Sequence, residues 1–142
     1  MRRKSLFSFI RKTDGAAALE FAIIAPVFFM SVFSMIAYGI YLGAAHSVQQ
    51  LSADAARAAV AGLSLTERQY LARNYIQQST LRHPFIDAQK LNVLTVDDPA
   101  NPGQFTVTLT YNAEDLPIWS LYAFAMPDKE IKGFSTIRLG GI

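Results

Sequence analysis

From Phe21 to Ala45 the chain runs for 25 residues without a formal charge. About 20 apolar residues in a helix cross the hydrocarbon core of a bilayer, so this run is long enough to span one. It governs the rest of the 142-residue chain. With residues 1–45 given to a leader and a spanning segment, a small remainder is left to fold in water. A domain of that size buries proportionately little of its surface, which argues against an enzyme with its own deep pocket.

One acid, Glu20, stands at the start of the run. An ionised side chain at the centre of a spanning helix costs roughly 3 kcal/mol or more. Near the edge the cost is smaller, and an acid there is a functional candidate by default. Five cations (Arg2, Arg3, Lys4, Arg11 and Lys12) and one acid, Asp14, precede Gly15, giving residues 1–14 a net charge of +4. The remaining residues carry eight basic and ten acidic groups, a net of −2. The sequence pI of about 9.0 therefore belongs to the leader. There it serves topology and not phosphate binding: residues 1–14 are expected in the cytoplasm, with the C-terminal part outside. A cleaved secretory signal is the competing reading. The apolar stretch is longer than a usual signal core, however, and Gly43–Ala45 make only a weak cleavage signal. There are no cysteines, which excludes disulfides, thiolate metal sites and a cysteine nucleophile.

Pro26 removes one helical hydrogen bond, to the carbonyl of Ala22, which spanning helices tolerate better than soluble ones. The helix is expected to continue past the membrane. His46 to Ala61 holds good helix formers and no proline, and Gly62 follows as a C-cap candidate. One helix from Ala16 to Ala61 is roughly 70 Å long at 1.5 Å per residue. Ser64-Leu-Thr-Glu67 is a capping-box pattern that opens a second, shorter helix carrying Leu65, Tyr70, Leu71, Tyr75 and Ile76 and ending before Pro84. The period then changes to two. Leu91, Val93 and Thr95 alternate with Asn92, Leu94 and Val96, and Phe105, Val107, Leu109 and Tyr111 alternate with Thr106, Thr108, Thr110 and Asn112. Residues 97–103 form a turn-rich loop between them, Pro117 to Tyr122 a surface or lip segment, and Ile131 to Leu139 a third strand. The expectation is α+β: a long N-terminal transmembrane helix, a short second helix and a small antiparallel sheet of about three strands.

Other polar groups offer no clear chemistry. His46 and His83 lack companion carboxylates at ligand spacing, so helix-end or surface roles are favoured over metal binding. Asp97 and Asp98 are read as turn residues and not a calcium site. Trp119, Tyr122 and Phe124 suit core packing, or an exposed contact with a partner or the membrane surface. No phosphate-binding loop, nucleophile motif or acid/base pair is present, so neither a catalytic site, a cofactor, a metal nor nucleic acid is expected. Gly39-Ile-Tyr-Leu-Gly43 is a GxxxG pattern, either a close-packing helix face in lipid or chance in a segment rich in small residues. The alanines from Ala53 to Ala61 extend the same line.

A basic leader, Gly15, four apolar residues, Glu20 and Phe21 resemble a type IV prepilin signal. More closely, residues 15–26, Gly-Ala-Ala-Ala-Leu-Glu-Phe-Ala-Ile-Ile-Ala-Pro, resemble the start of TadE-like proteins, pseudopilins of the tight-adherence (Tad, or Flp) pilus system. Ala55-Ala56-Arg57-Ala58-Ala59 resembles that family too. The resemblance covers residues 11–62; beyond them only Tyr111 and Leu116-Pro117 echo it. It implies a pilin-like, non-enzymatic minor pilin or pseudopilin acting in pilus assembly or initiation. The expected segments are a leader (1–15), a transmembrane helix (16–45), its extracytoplasmic continuation (46–62) and an α+β domain (63–142). A prepilin peptidase would cut after Gly15 and leave Ala16 as the new N-terminus. Gly15 offers no Cβ to obstruct a protease. Glu20 would then lie one helical turn, about 6 Å, from the new amine. It could pair with that amine or with a neighbouring subunit's, which offsets part of its desolvation. Phe21 belongs to the same motif, and Pro26, Gly39 and Gly43 to helix packing. The implied partners are the peptidase, other pilins through the N-terminal helix, an inner-membrane assembly platform and lipid. The alternative is an uncleaved bitopic inner-membrane scaffold of a pilus or secretion machine.

Overall fold

The computed structural model describes residues 13–80, 83, 85–101, 103–120 and 127–139. The leader cations Arg2, Arg3, Lys4, Arg11 and Lys12 lie outside the described residues, as do Pro84, Tyr122 and Phe124. The elements are α1 (Thr13–Ala59), α2 (Leu65–Ser79), β1 (Leu91–Asp97), β2 (Gln104–Asn112) and β3 (Glu130–Arg138), with short 3-10 turns at Ala88–Lys90 and Pro117–Ser120. This is the α+β arrangement that the change of period predicts. The chain divides into two compact units, residues 1–36 and 37–142, and α1 contributes to both.

In the first unit nearly all the large apolar side chains of α1 are exposed, from Leu19 and Phe21 (70%) to Met35 (76%) and Ile36, with Val32 intermediate. A helix that is apolar all round is stable only inside a core or a membrane. The polar side chains here turn inward on the helix itself: Ser31 Oγ donates to the Val27 carbonyl at 2.9 Å, and Ser34 Oγ to that of Met30. Such i−4 bonds satisfy a hydroxyl without water.

In the second unit α1 carries a buried stripe instead. Ala37, Ala44, Val48, Leu51, Ala55 and Ala59 recur at intervals of three, four or seven, and all are nearly inaccessible. From Ala44 on, this stripe joins the core formed by the inner face of the sheet (Phe105, Val107, Leu109, Tyr111 and Ile131) and by Ala72 and Ile76 of α2. The sheet is antiparallel in the order β1-β2-β3, with Leu91 opposite Tyr111 and Leu109 opposite Gly133. Its other face carries Thr106, Thr108 and Thr110, flanked by exposed Leu94, Val96 and Phe134 (65%). Thr106 and Thr136 share a hydroxyl hydrogen bond of 2.7 Å across β2 and β3.

Several boundaries differ from the sequence reading. α1 stops at Ala59, where Gly62 N–H reaches the Ala59 carbonyl at 3.0 Å. Gly62 is not a left-handed cap; an added Cβ there would lie 2.8 Å from the Arg68 backbone nitrogen, so close approach explains the glycine. The capping box forms with a shift of one residue. Ser64 Oγ accepts from Glu67 N–H at 3.2 Å, while the Glu67 carboxylate reaches back to Leu63 N–H at 2.9 Å. α2 ends at Ser79, and the capping Thr80 donates both its N–H and its Oγ1 hydroxyl to the Ile76 carbonyl. The segment after Pro117 is anchored as well as superficial, since Ile118 is fully buried.

Candidate functional site

The residues that the sequence singles out lie along α1, and their surroundings change along it. Gly15, Ala16, Glu20 and Phe21 occupy its first turns and are all exposed; a Cβ added at Gly15 would meet nothing within 4 Å. The Gly15–Ala16 bond lies among the first described residues of α1. Glu20 is one turn beyond Ala16, the spacing at which side chains share a face. Pro26 is also exposed, within an unbroken helix.

The two glycines of the GxxxG pattern have different surroundings. Gly39 is open, with nothing within 4 Å of an added Cβ, whereas Gly43 faces the Phe85 ring at 3.4 Å. A neighbouring helix would find the first glycine free and the second beside an aromatic ring of the same chain. Further along, Ala55, Ala56 and Ala59 pack against the chain's own core, while Ala53 and Ala58 are half-buried and Ala61 is exposed.

Around residues 40–43 of α1 lies a distinct end of the folded unit. The Tyr41 ring meets Trp119 edge-on, centroids 6.3 Å apart, and Tyr41 Oη donates to the Asp128 carbonyl at 3.0 Å. Trp119 Nε1 donates to the Ala113 carbonyl, and Lys129 Nζ lies 6.0 Å from the indole centroid. An open groove of about 460 Å³ runs between Ile40, Phe85, Leu116 and Pro117, and includes the ion pair of Lys90 with Asp115.

Residues 15–57 match the family model described as TadE-like protein. That stretch, under a third of the chain, is similar to the TadE-like family. The match begins at Gly15 and ends two residues before α1 does, so it covers the helix and not the sheet. No curated protein and no solved structure matches the chain significantly. The match likens the N-terminal helix to those of proteins of Tad pilus systems. α1 is the single helix among the described residues that is long and apolar enough to cross a membrane.

Other described polar residues serve the fold of the chain. Asp97 accepts from Arg68 Nη1 at 3.0 Å. Asp98 holds the following turn, accepting from Ala100 N–H at 2.9 Å and Asn101 Nδ2 at 3.0 Å; these bonds, the Asn101 side chain first, hold its carboxyl below the usual range. His46 is exposed and His83 half-buried, and no cluster suited to a metal ion occurs among the described residues.

Three structural roles escape the sequence reading. Arg68, 12% exposed in its side chain, bonds the Gly62 carbonyl and Asp97 and lies 5.3 Å over the Phe105 ring. Gln49 and Gln69 reach from α1 and α2 to the two outer strands. Gln49 bonds both backbone groups of Phe134 (2.9 and 3.4 Å), and Gln69 bonds the Thr95 carbonyl (3.2 Å). Gly133 lies so close to α1 that an added Cβ would be 2.9 Å from the Val48 carbonyl oxygen. A glycine inside a strand is the one signal that could have flagged such an approach.

Proposed function

We propose that this chain is a minor pilin or pseudopilin of a Tad (Flp) type IV pilus. A membrane-embedded prepilin peptidase cuts it after Gly15, and the mature subunit enters, or primes, pilus assembly at the inner membrane. The observation that carries this reading is the free state of the first turns of α1: Gly15, Ala16, Glu20 and Phe21 are all exposed on an apolar helix. A peptidase could reach the Gly15–Ala16 bond without displacing packed side chains. Glu20 would then accept an amine, its own or a neighbour's, and the helix dipole favours a negative charge in that first turn. Other pilins and the assembly platform would meet the exposed face of residues 15–36 and the open side of Gly39. The leader stays cytoplasmic and the folded unit faces the periplasm.

N-terminal sequencing of the chain from membranes that contain an active prepilin peptidase tests the reading. The expected terminus is Ala16. An intact Met1 terminus would instead establish the second reading, an uncleaved bitopic scaffold. One observation favours that alternative: Gly43 already faces Phe85, which leaves the helix less small surface for neighbours. Glu20→Gln should leave insertion and cleavage in place while pilus formation falls. Unchanged pilus formation would remove the pairing role of Glu20.

A further inference from the structure

We propose that the groove between α2 and the open edge of β1 takes an extended acidic segment of a partner protein, which adds as a strand beside β1 and sets a carboxylate on Arg73. Every residue involved lies in the folded unit, so the site exists whether or not the chain is cut after Gly15.

The two edges of the sheet are covered unequally. On β3, Gln49 occupies both backbone groups of Phe134. On β1, α2 supplies one bond, from Gln69 Nε2 to the Thr95 carbonyl at 3.2 Å. That carbonyl therefore faces away from β2. Backbone groups alternate in direction along an antiparallel strand, so the N–H and carbonyl of Val93 and the carbonyl of Leu91 face the same open side. Asp98 N–H, bonded to the Gln104 carbonyl at 2.9 Å, marks the opposite set, which faces β2. Native edges are commonly blunted by lysine, proline or a bulge. Leu91-Asn92-Val93-Leu94 holds no lysine or proline, and its register with β2 is unbroken. On the outer face Leu94 is 58% exposed, with Thr108 on one side and no strand on the other.

The groove against this half of the edge has a volume of about 320 Å³ and is lined by Ile76, Leu91 and Val93, with Arg73 and Gln77 contributed by α2. Arg73 is exposed and has no ion pair among the described residues. Its neighbours three and four positions away on the helix are Gln69, Tyr70, Ile76 and Gln77, none of them an acid. The acids flanking β1 are engaged: Asp87 accepts from Gln89 N–H, and Asp97 from Arg68. Beyond Thr80, no residue outside the described set has an acidic side chain. The groove thus offers what strand addition needs, main-chain partners for affinity and a side-chain selector for specificity. An arginine selects a carboxylate through charge-assisted hydrogen bonds. A second copy paired edge to edge suits it less, because a two-fold interface brings the same patch together twice and sets one Arg73 against the other.

The full chain in detergent is titrated with a short fluorescein-labelled peptide of alternating valine and threonine that carries one central glutamate, and with the same peptide carrying lysine there. By anisotropy the glutamate peptide is expected to bind roughly tenfold tighter, the worth of one charge-assisted contact. Amide exchange at residues 91–95 should slow when it binds. Arg73→Glu, at an exposed helix position, should reverse the preference. Val93→Pro, which removes an open N–H and no ladder bond, should weaken both peptides and keep the preference for glutamate. Equal binding of the two peptides, or a preference that survives Arg73→Glu, overturns the acidic occupant. Exchange that slows elsewhere but not at residues 91–95 overturns the strand addition. Failure to bind either peptide overturns the site altogether. Sedimentation then shows whether a second copy fills the edge, as a dimer that Val93→Pro dissociates, or nothing does.

Discussion

The two parts of α1 are built from one apolar alphabet and use it in opposite ways. Residues 15–36 carry Phe21, Phe28, Phe29, Met30, Phe33 and Met35, all large and all exposed. Residues 37–59 carry Ala37, Ala44, Val48, Leu51, Ala55 and Ala59, mostly small and all buried. The difference follows from what each part packs against. Lipid tails are fluid and accept bulk at any angle, so large side chains increase the apolar contact there. A sheet packed on a helix has a fixed surface, and backbones approach closely only where side chains are small. Side-chain size, more than hydropathy, separates the exposed part of this helix from its domain part.

The sharpest way to break that contrast is to insert bulk where the backbones meet. In Gly133→Val, the new Cβ would lie 2.9 Å from the Val48 carbonyl oxygen and 3.0 Å from the Gln49 Cα. Neither is a flexible tip that can swing aside. Overpacking of this kind costs about 3 kcal/mol or more when backbone must shift. Thermal unfolding of the detergent-solubilised full chain, followed by Trp119 fluorescence, is expected to show the largest loss of the set. A midpoint within a degree of the parent would mean that β3 is not held against α1.

A matched pair of truncations tests the contrast from the other side. Leu51→Ala removes a side chain that is 1% exposed at the centre of the core, at a cost of about 3 kcal/mol. Phe29→Ala removes a larger side chain whose aromatic neighbours are Phe28 and Phe33 of the same helix. The folded unit should not register it beyond about 0.5 kcal/mol. Equal losses from the two truncations would erase the distinction between the two parts.

Much of this was legible in the residues. Alternation in Phe105–Asn112 assigned both faces of β2, and the uncharged run marked the long apolar helix. The Ser64–Glu67 pattern placed the start of α2. The division at residue 36 was not legible, because the hydropathy pattern continues through it and only the sheet reveals which alanines are covered. Gly133 and Arg68 were missed for the same reason. Their partners Val48 and Asp97 lie far away in sequence, and no local period encodes such a contact. Phe85 beside Gly43 is the instructive case for the candidate site. A GxxxG pattern reports that a helix has a slot, and only the fold reports that this chain fills half of it.

The smallest expected effect concerns a polar contact that the domain part of α1 makes with the sheet. Gln49 is exposed, yet its amide bonds both the N–H and the carbonyl of Phe134 on an outer strand, much as a neighbouring strand would. Gln49→Ala is expected to cost about 1 kcal/mol, the net worth of a pair of solvent-accessible hydrogen bonds. Gln50→Ala, at an exposed neighbour on the same turn, should cost almost nothing. A second consequence distinguishes edge protection from simple bonding. Freed backbone groups beside an exposed phenylalanine template strand addition, so the Gln49 variant should self-associate with rising concentration where the Gln50 variant does not. Sedimentation of the two variants in detergent reads this out. If both remain monodisperse, Gln49 is a modest hydrogen-bonding residue and Phe134 needs no guard.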